Sequence, residues 1–219
     1  MRVAAPLNLA RSDAVFMLGD TSILMLRGGG LAETYSTALI SAPLATKAST
    51  AAVIAIAADA IAQSLTSNNE RWDWARTRWM IVWGALISGC CNALWFDLLN
   101  SIFPPPITTL PQLAKKVAVN QLFMAPFLNT AFFTFVILTR MQPIARMNRD
   151  KWSALREKCA ADLVPTIMRG NVFWTTCQTV NFKFVPPALM TLSSNFFSLI
   201  WTIYLSIVGN RAAAQDRSR

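Results

Sequence analysis

Four long apolar runs, separated by short polar connections, set the pattern of this chain. They extend from about Tyr35 to Leu65, Trp79 to Leu99, Val117 to Thr139 and Ala188 to Val208. About 20 helical residues at 1.5 Å each cross the ~30 Å hydrocarbon layer of a bilayer, so each run predicts a membrane-spanning helix. The breaks are equally legible. Phe103-Pro104-Pro105-Pro106 cannot continue a helix, Lys115-Lys116 opens the third run, and Arg140 closes it. Between Met141 and Ala161 charge is densest. Trp152, Leu155 and Cys159 recur there at helical spacing, the pattern of an amphipathic surface or interfacial helix. From Pro165 to Pro186 apolar residues mix with amides, and Arg169 and Lys183 flank the centre. This predicts a short, tilted or interface-hugging helix at about 163–182. The expected fold class is all-α: a membrane protein of four transmembrane helices plus an amphipathic or short helix before the last span.

Polar residues inside the apolar runs are the candidate chemistry. Asp59 and Gln63 are four apart, share one helix face, and are expected to look into the bundle. Lys47 lies roughly 18 Å along the helix from Asp59, too far to pair with it, and can snorkel toward an interface. Asn120, Gln121 and Asn129 sit on the third run, which Pro126 interrupts. That proline frees a carbonyl near Leu122 for a neighbouring amide to satisfy. Asn120 and Gln121 point about 100° apart, so they do not face one lumen squarely together. Trp174, Gln178 and Asn181 form a stripe at i, i+4 and i+7. Each group has two readings: the wall of a polar pathway, or hydrogen-bonded contacts between helices, which are the commoner use of such residues. Gly84 and Ser88-Gly89-Cys90-Cys91 form a small-residue patch that allows close helix approach. Trp72, Trp74 and Trp79 suit a belt at headgroup level.

Composition narrows the function classes. The chain is 54% hydrophobic and only 14% charged, which excludes a disordered chain. Its net charge of +9 is scattered between the apolar runs, as expected for contact with anionic lipid headgroups and not for nucleic acid. Lys and Arg divide too evenly between the two sides of a four-span bundle to orient it. The absence of histidine excludes a Ser-His-Asp triad, a Cys–His pair, and His-ligated zinc or haem. Cysteines lack C-x-x-C spacing, and Cys90-Cys91 read as small packing residues. No acid, base and nucleophile converge, so no enzyme activity, cofactor or metal is expected, only incidental lipid. Belts and core packing account for the aromatic residues, 13 Phe and 8 Trp among them. Residues 1–30 carry Arg2, Arg11 and Arg27 but also Asp13 and Asp20, and read as an N-terminal arm or targeting remnant. Residues 31–208 form the membrane domain, and 209–219 a polar C-terminal tail.

The C-terminal third carries a longer pattern. It comprises Asn171-Val172-Phe173-Trp174, Gln178, Asn181-Phe182, Val185-Pro186, Trp201 and Tyr204-Leu205-Ser206. Without a gap, it resembles the signature W-P-x-x-Q-x-x-N-F-x-x-V-P, then a helix reaching W-N-x-Y-L-S, of the Mpv17/PMP22 family of organellar membrane proteins. Earlier residues fit more loosely: Tyr35, Leu39, Pro43 and Thr46; Asp59 and Gln63; Trp95-Phe96; and Lys115, Gln121 and Ala125-Pro126. Pro43, Trp95, Pro126, Trp174, Phe182, Pro186 and Trp201 are thereby the candidate structural positions of the motif. Four positions depart from it. Thr175 replaces a proline, Met190 an arginine, Thr202 an asparagine, and Gly89-Cys90 a Gly-Pro pair. The resemblance implies a four-helix protein of an organelle membrane, the mitochondrial inner membrane first, with peroxisome and chloroplast as alternatives. It also implies a poorly selective channel for small solutes. The rival reading is a structural accessory subunit of a large respiratory, ATP-synthase or photosynthetic complex, motivated by the lost motif residues. Expected partners are membrane lipids, with either a homo-oligomer or the subunits of such a complex.

Overall fold

The computed structural model describes residues 31–66, 72–141, 144 and 146–217, with side chains between 33 and 204. The arm 1–30, the polar connection Ser67–Arg71 and the side chains of the tail lie outside the described residues. Six helices follow one another: α1 (Leu31–Ser41), α2 (Pro43–Thr66), α3 (Trp74–Ile102), α4 (Leu110–Arg140), α5 (Arg149–Phe184) and α6 (Met190–Arg217). A 3-10 turn, Pro187–Leu189, precedes α6. Among the described residues three helices are long and apolar enough to cross a membrane: Pro43–Leu65, Trp74–Ile102 and Leu110–Arg140. They correspond to the first three apolar runs.

Local chemistry explains the boundaries. Pro43 opens α2, where its missing N–H interrupts the ladder from α1. The Thr46 hydroxyl spans this break, 2.9 Å from Ala38 O and 2.8 Å from Ala42 O. Asp73 caps α3 by accepting from Arg76 N at 2.9 Å. Helix α3 widens into π turns over Gly84–Cys91, and Asn92 N–H bonds Ile87 O, five residues back. This wide segment lies against α2. A methyl group added to Gly89 would sit 2.5 Å from Ala48 Cα, and one added to Gly84 would sit 2.7 Å from Ala55 Cβ. Here the small-residue patch makes the close approach its sequence suggests. Helix α4 has its own π turn, Asn120–Met124, immediately before Pro126, so the proline's lost bond falls where the ladder already shifts register.

Helices α2 to α6 alternate in direction. Lys47 meets Asp97 and Asp59 meets Arg76, so α2 and α3 are antiparallel. Trp79 meets Phe135 and Trp95 meets Asn120, so α3 and α4 are antiparallel. Gln121 meets Thr175, while Phe133 and Ile137 bury Leu155, which reverses α5 against α4. Asn181 meets Met190, and Trp174 meets Trp201, which reverses α6 against α5. One end of the bundle is closed by a core of Phe96, Leu99, Leu113, Val117, Phe182 and Met190.

Helix α5 departs from expectation in two ways. It runs unbroken for 36 residues through Pro165, instead of dividing into an interfacial segment and a short helix at 163–182. One internal proline costs about 3 kcal/mol, and packing on α4 before it and on α4 and α6 after it outweighs that loss. Nor does α5 stay at one end of the bundle. It carries the chain from the end where α4 finishes to the end where α3 finishes, so it traverses the bundle. Its amides Gln178 and Asn181 are buried, while Val164, Met168, Val172, Val180 and Phe184 form an exposed apolar stripe. In its first turns Leu155 is buried and Cys159 half-buried, as expected, but Trp152 is exposed and Lys151 buried.

Candidate functional site

Helix α3 packs on α2, and α4 packs on α5. Between α3 and α4, bulky rings meet instead of small residues. Trp83 lies 5.3 Å from Phe132 and 5.2 Å from Phe135, centroid to centroid. These rings hold the backbones apart, and a cavity of about 720 Å³ opens between α3, α4, α5 and α6. On α4 its wall extends from Asn120 to Arg140, roughly 30 Å of helix. Aromatic residues, including Trp79, Trp83, Trp174 and Trp201, form much of the wall. Asn92, Asn120, Asn129, Gln178, Ser194 and Ser198 supply amides and hydroxyls. Asp73, Arg76 and Arg140 stand at one end, among the helix termini. The opposite end stops above the Phe96–Phe182 core.

Next to the charged end, a buried network ties α2 to α3. Asp59 is 1% exposed and pairs with Arg76 Nε at 2.7 Å. Its second oxygen accepts from Gln63 Nε2 at 2.9 Å and from the Thr77 hydroxyl at 2.7 Å. Gln63 also accepts from Asp73 N at 2.9 Å, which fixes the start of α3. Arg140 Nη1 reaches Asp73 Oδ2 at 3.8 Å and joins α4 to the same cluster. Asp59 and Gln63 do share an inward face, but neither lines the cavity. Arg76 lines it, with Asp59 neutralising the guanidinium from behind.

The other candidates divide. Asn120 accepts from Trp95 Nε1 at 2.8 Å and lines the cavity. Gln121 also touches the cavity, but donates to Thr175 at 3.0 Å and so docks α5. Asn129 donates back to Ala125 O at 2.8 Å, within its own helix. In the C-terminal stripe Trp174 and Gln178 line the cavity, whereas Asn181 lies deeper and bonds Met190 O at 3.2 Å. Trp201 lines the cavity and stacks on Phe173 at 5.0 Å. Phe182 meets Phe96 edge-on at 5.9 Å, and Pro186 starts the turn into α6. Pro43, Trp95, Pro126, Phe182 and Pro186 therefore shape helices and contacts, and none of them touches the cavity. Among the departures from the motif, Met190 sits in the apolar core, Thr175 bonds Gln121, and Thr202 lines the cavity.

Sequence reasoning missed Asp73, Arg76, Asn92, Ser194 and Ser198. Arg76 and Asp73 read as ordinary loop charges, and Asn92 hides behind the small-residue patch. Ser194 and Ser198 stand four apart on α6, a spacing that does put them on one face.

Membrane-length apolar helices in an all-helical bundle with polar residues turned inward define an integral membrane protein. The model of the Mpv17 / PMP22 family matches residues 145–206. PXMP2/4 family protein 3 of Dictyostelium discoideum is 31% identical over 177 residues, covering 81% of this chain and 90% of the relative. Protein SYM1 of Debaryomyces hansenii is 30% identical, covering 81% of this chain and 88% of the relative. Mitochondrial inner membrane protein Mpv17 of Drosophila melanogaster is 27% identical over 141 residues, covering 64% and 79%. The chain belongs to the Mpv17/PMP22 family. No solved structure gives a significant match.

Proposed function

We propose that this protein provides a permeation path for small polar solutes across an organelle membrane, through the cavity between α3, α4, α5 and α6. The cavity carries the reading: about 720 Å³ of space with a largely aromatic wall into which Asn92, Asn120, Gln178, Ser194 and Ser198 set amides and hydroxyls, inside a bundle with apolar outer faces. A four-helix bundle of this family type would ordinarily pack solid. Polar side chains at membrane depth are costly unless they bond each other or line a water-filled space. The apolar α6 serves as the fourth span beside α2, α3 and α4, and α5 crosses with them. The name of the fruit-fly relative places that protein in the mitochondrial inner membrane, and the same membrane is proposed for this chain. Its role is permeation without turnover, so it requires no cofactor.

The test is conductance of the purified full-length protein in planar bilayers. Wild-type protein is expected to conduct. Ser198→Trp, which fills the cavity from α6, is expected to insert normally and abolish the current. Silence of well-inserted wild-type protein would overturn the reading. Recovery in a large particle with stoichiometric companions after mild extraction would put the accessory-subunit reading in its place. A small homo-oligomer with bound lipid agrees with permeation.

A further inference from the structure

The cavity between α3, α4, α5 and α6 has a charged mouth and an apolar depth. Its mouth lies where α3 begins and α4 finishes, at the level of Asp73, Arg76 and Arg140. Trp72 and Trp74 are exposed beside the start of α3, as rings of a headgroup-level belt are. From there the wall follows α4 inward for roughly 30 Å. Trp79, Trp83, Trp174 and Trp201, with Phe132 and Phe135, make it largely aromatic. The polar groups set into it already hold hydrogen bonds within the protein. Asn120 accepts from Trp95 Nε1, Asn129 donates to Ala125 O, Gln178 accepts from Asn181 Nδ2, and Ser198 donates to Ser194 O. Such a wall demands few hydrogen bonds of an occupant and favours apolar surface.

Size and charge narrow the occupant. One leaflet's acyl chain reaches about 15 Å, half of the ~30 Å hydrocarbon layer, so a single chain with its head group lies within the length of the wall. A volume of about 720 Å³ is that of a site for one small ligand. The mouth carries both signs in equal number. Asp59 pairs with Arg76 from behind, and Asp73 Oδ2 stands 3.8 Å from Arg140 Nη1. Charge-assisted hydrogen bonds are about 2.7–2.9 Å long, so this second pair is open, and both its side chains are about half exposed. Arg140 thus offers N–H donors to a phosphate, and Asp73 an oxygen to an ammonium group. A lone anion would leave the four charges with a negative excess, whereas a zwitterion leaves them balanced.

We infer that the cavity is a binding site for a single-chain zwitterionic phospholipid, its phosphate on Arg140, its ammonium on Asp73 and its acyl chain along the tryptophan wall. Lipid bound in this way lies inside the bundle, unlike the lipid around its outer faces. The inference goes beyond the permeation reading and does not require it, because binding needs only the cavity.

The test is native mass spectrometry of the full-length protein in detergent, equilibrated in turn with lysophosphatidylcholine, oleate and monoolein at one concentration. Wild-type protein is expected to retain one lysophosphatidylcholine per chain, more tightly than either of the others. Ser198→Trp, which fills the cavity, should abolish retention. Arg140→Gln changes a half-exposed side chain at a helix end, outside the core, and should weaken binding about tenfold, the equivalent of one charge-assisted hydrogen bond. Asp73→Asn retains a helix-capping side chain and should shift the preference toward oleate. Equal retention of the three lipids, tighter binding of oleate by the wild type, or retention unchanged in either Ser198→Trp or Arg140→Gln overturns the inference. So does the absence of any retained lysophosphatidylcholine. Conductance of the wild type decides the permeation reading separately, so either reading can fail while the other stands.

Discussion

Asp59 illustrates how one acid in an apolar helix can be read correctly for its face and wrongly for its task. Its spacing from Gln63 predicts an inward position, and both residues are buried. Sequence offers no way to learn that Arg76, on the next helix, reaches it at 2.7 Å. The pair holds α2 to α3 and places the arginine on the cavity wall. Asp59→Asn keeps the shape but loses a charge-assisted bond, and is expected to cost about 2 kcal/mol of stability. Thermal unfolding in detergent measures it. If the pair acts as a unit, Asp59→Asn combined with Arg76→Gln will cost clearly less than the two single changes summed. Strict additivity would show that the two side chains are not coupled. Lys116 carries the opposite lesson. As one of two adjacent lysines opening an apolar run it reads as an interfacial charge, yet it is fully buried.

At the scale of the element, the apolar runs α2, α3 and α4 were legible because their residues are apolar all round, and length alone then marks a span. The proline run after Phe103 and Arg140 marked the ends of α3 and α4, whereas the break at Pro43, inside the run read from Tyr35 to Leu65, was not anticipated. Helix α5 was not legible. Arg169, Lys183 and the amides lower its mean hydropathy, so its exposed apolar residues show only as a stripe that winds slowly round the helix: Val164, Met168, Val172, Val180 and Phe184. Which side of a mixed helix faces outward depends on its partners, and those are distant in sequence. The stripe makes a direct prediction. On the proposed reading that α5 crosses with its neighbours, Val172→Lys puts a charge on the outward face at membrane depth, where the insertion penalty for Lys at a helix centre is about 3 kcal/mol. The fraction of protein resisting alkaline extraction from membranes should fall, while Val172→Leu should leave it unchanged. An unchanged fraction in Val172→Lys would place this face in water.

Across the whole molecule, the decisive difference is the number of times the chain traverses the bundle. Four spans with an interfacial α5 would bring the start of α6 to the end where α4 finishes. Instead Met190 lies beside Asn100 and Asn181, at the end where α3 finishes. The cavity depends on this, because Trp174 and Gln178 reach its wall only if α5 runs the height of the bundle. No periodicity within a single segment carries that information, since it follows from pairings across the chain. Single-cysteine variants in a cysteine-free background decide the matter. Ser101→Cys, Asp150→Cys and Lys183→Cys can each be treated with a membrane-impermeant maleimide in sealed, oriented vesicles. A traversing α5 puts Lys183→Cys on the same side as Ser101→Cys and opposite Asp150→Cys. An interfacial α5 would label Lys183→Cys together with Asp150→Cys. That result would separate the Trp174–Gln178 wall from the membrane interior and remove the cavity as a route across it.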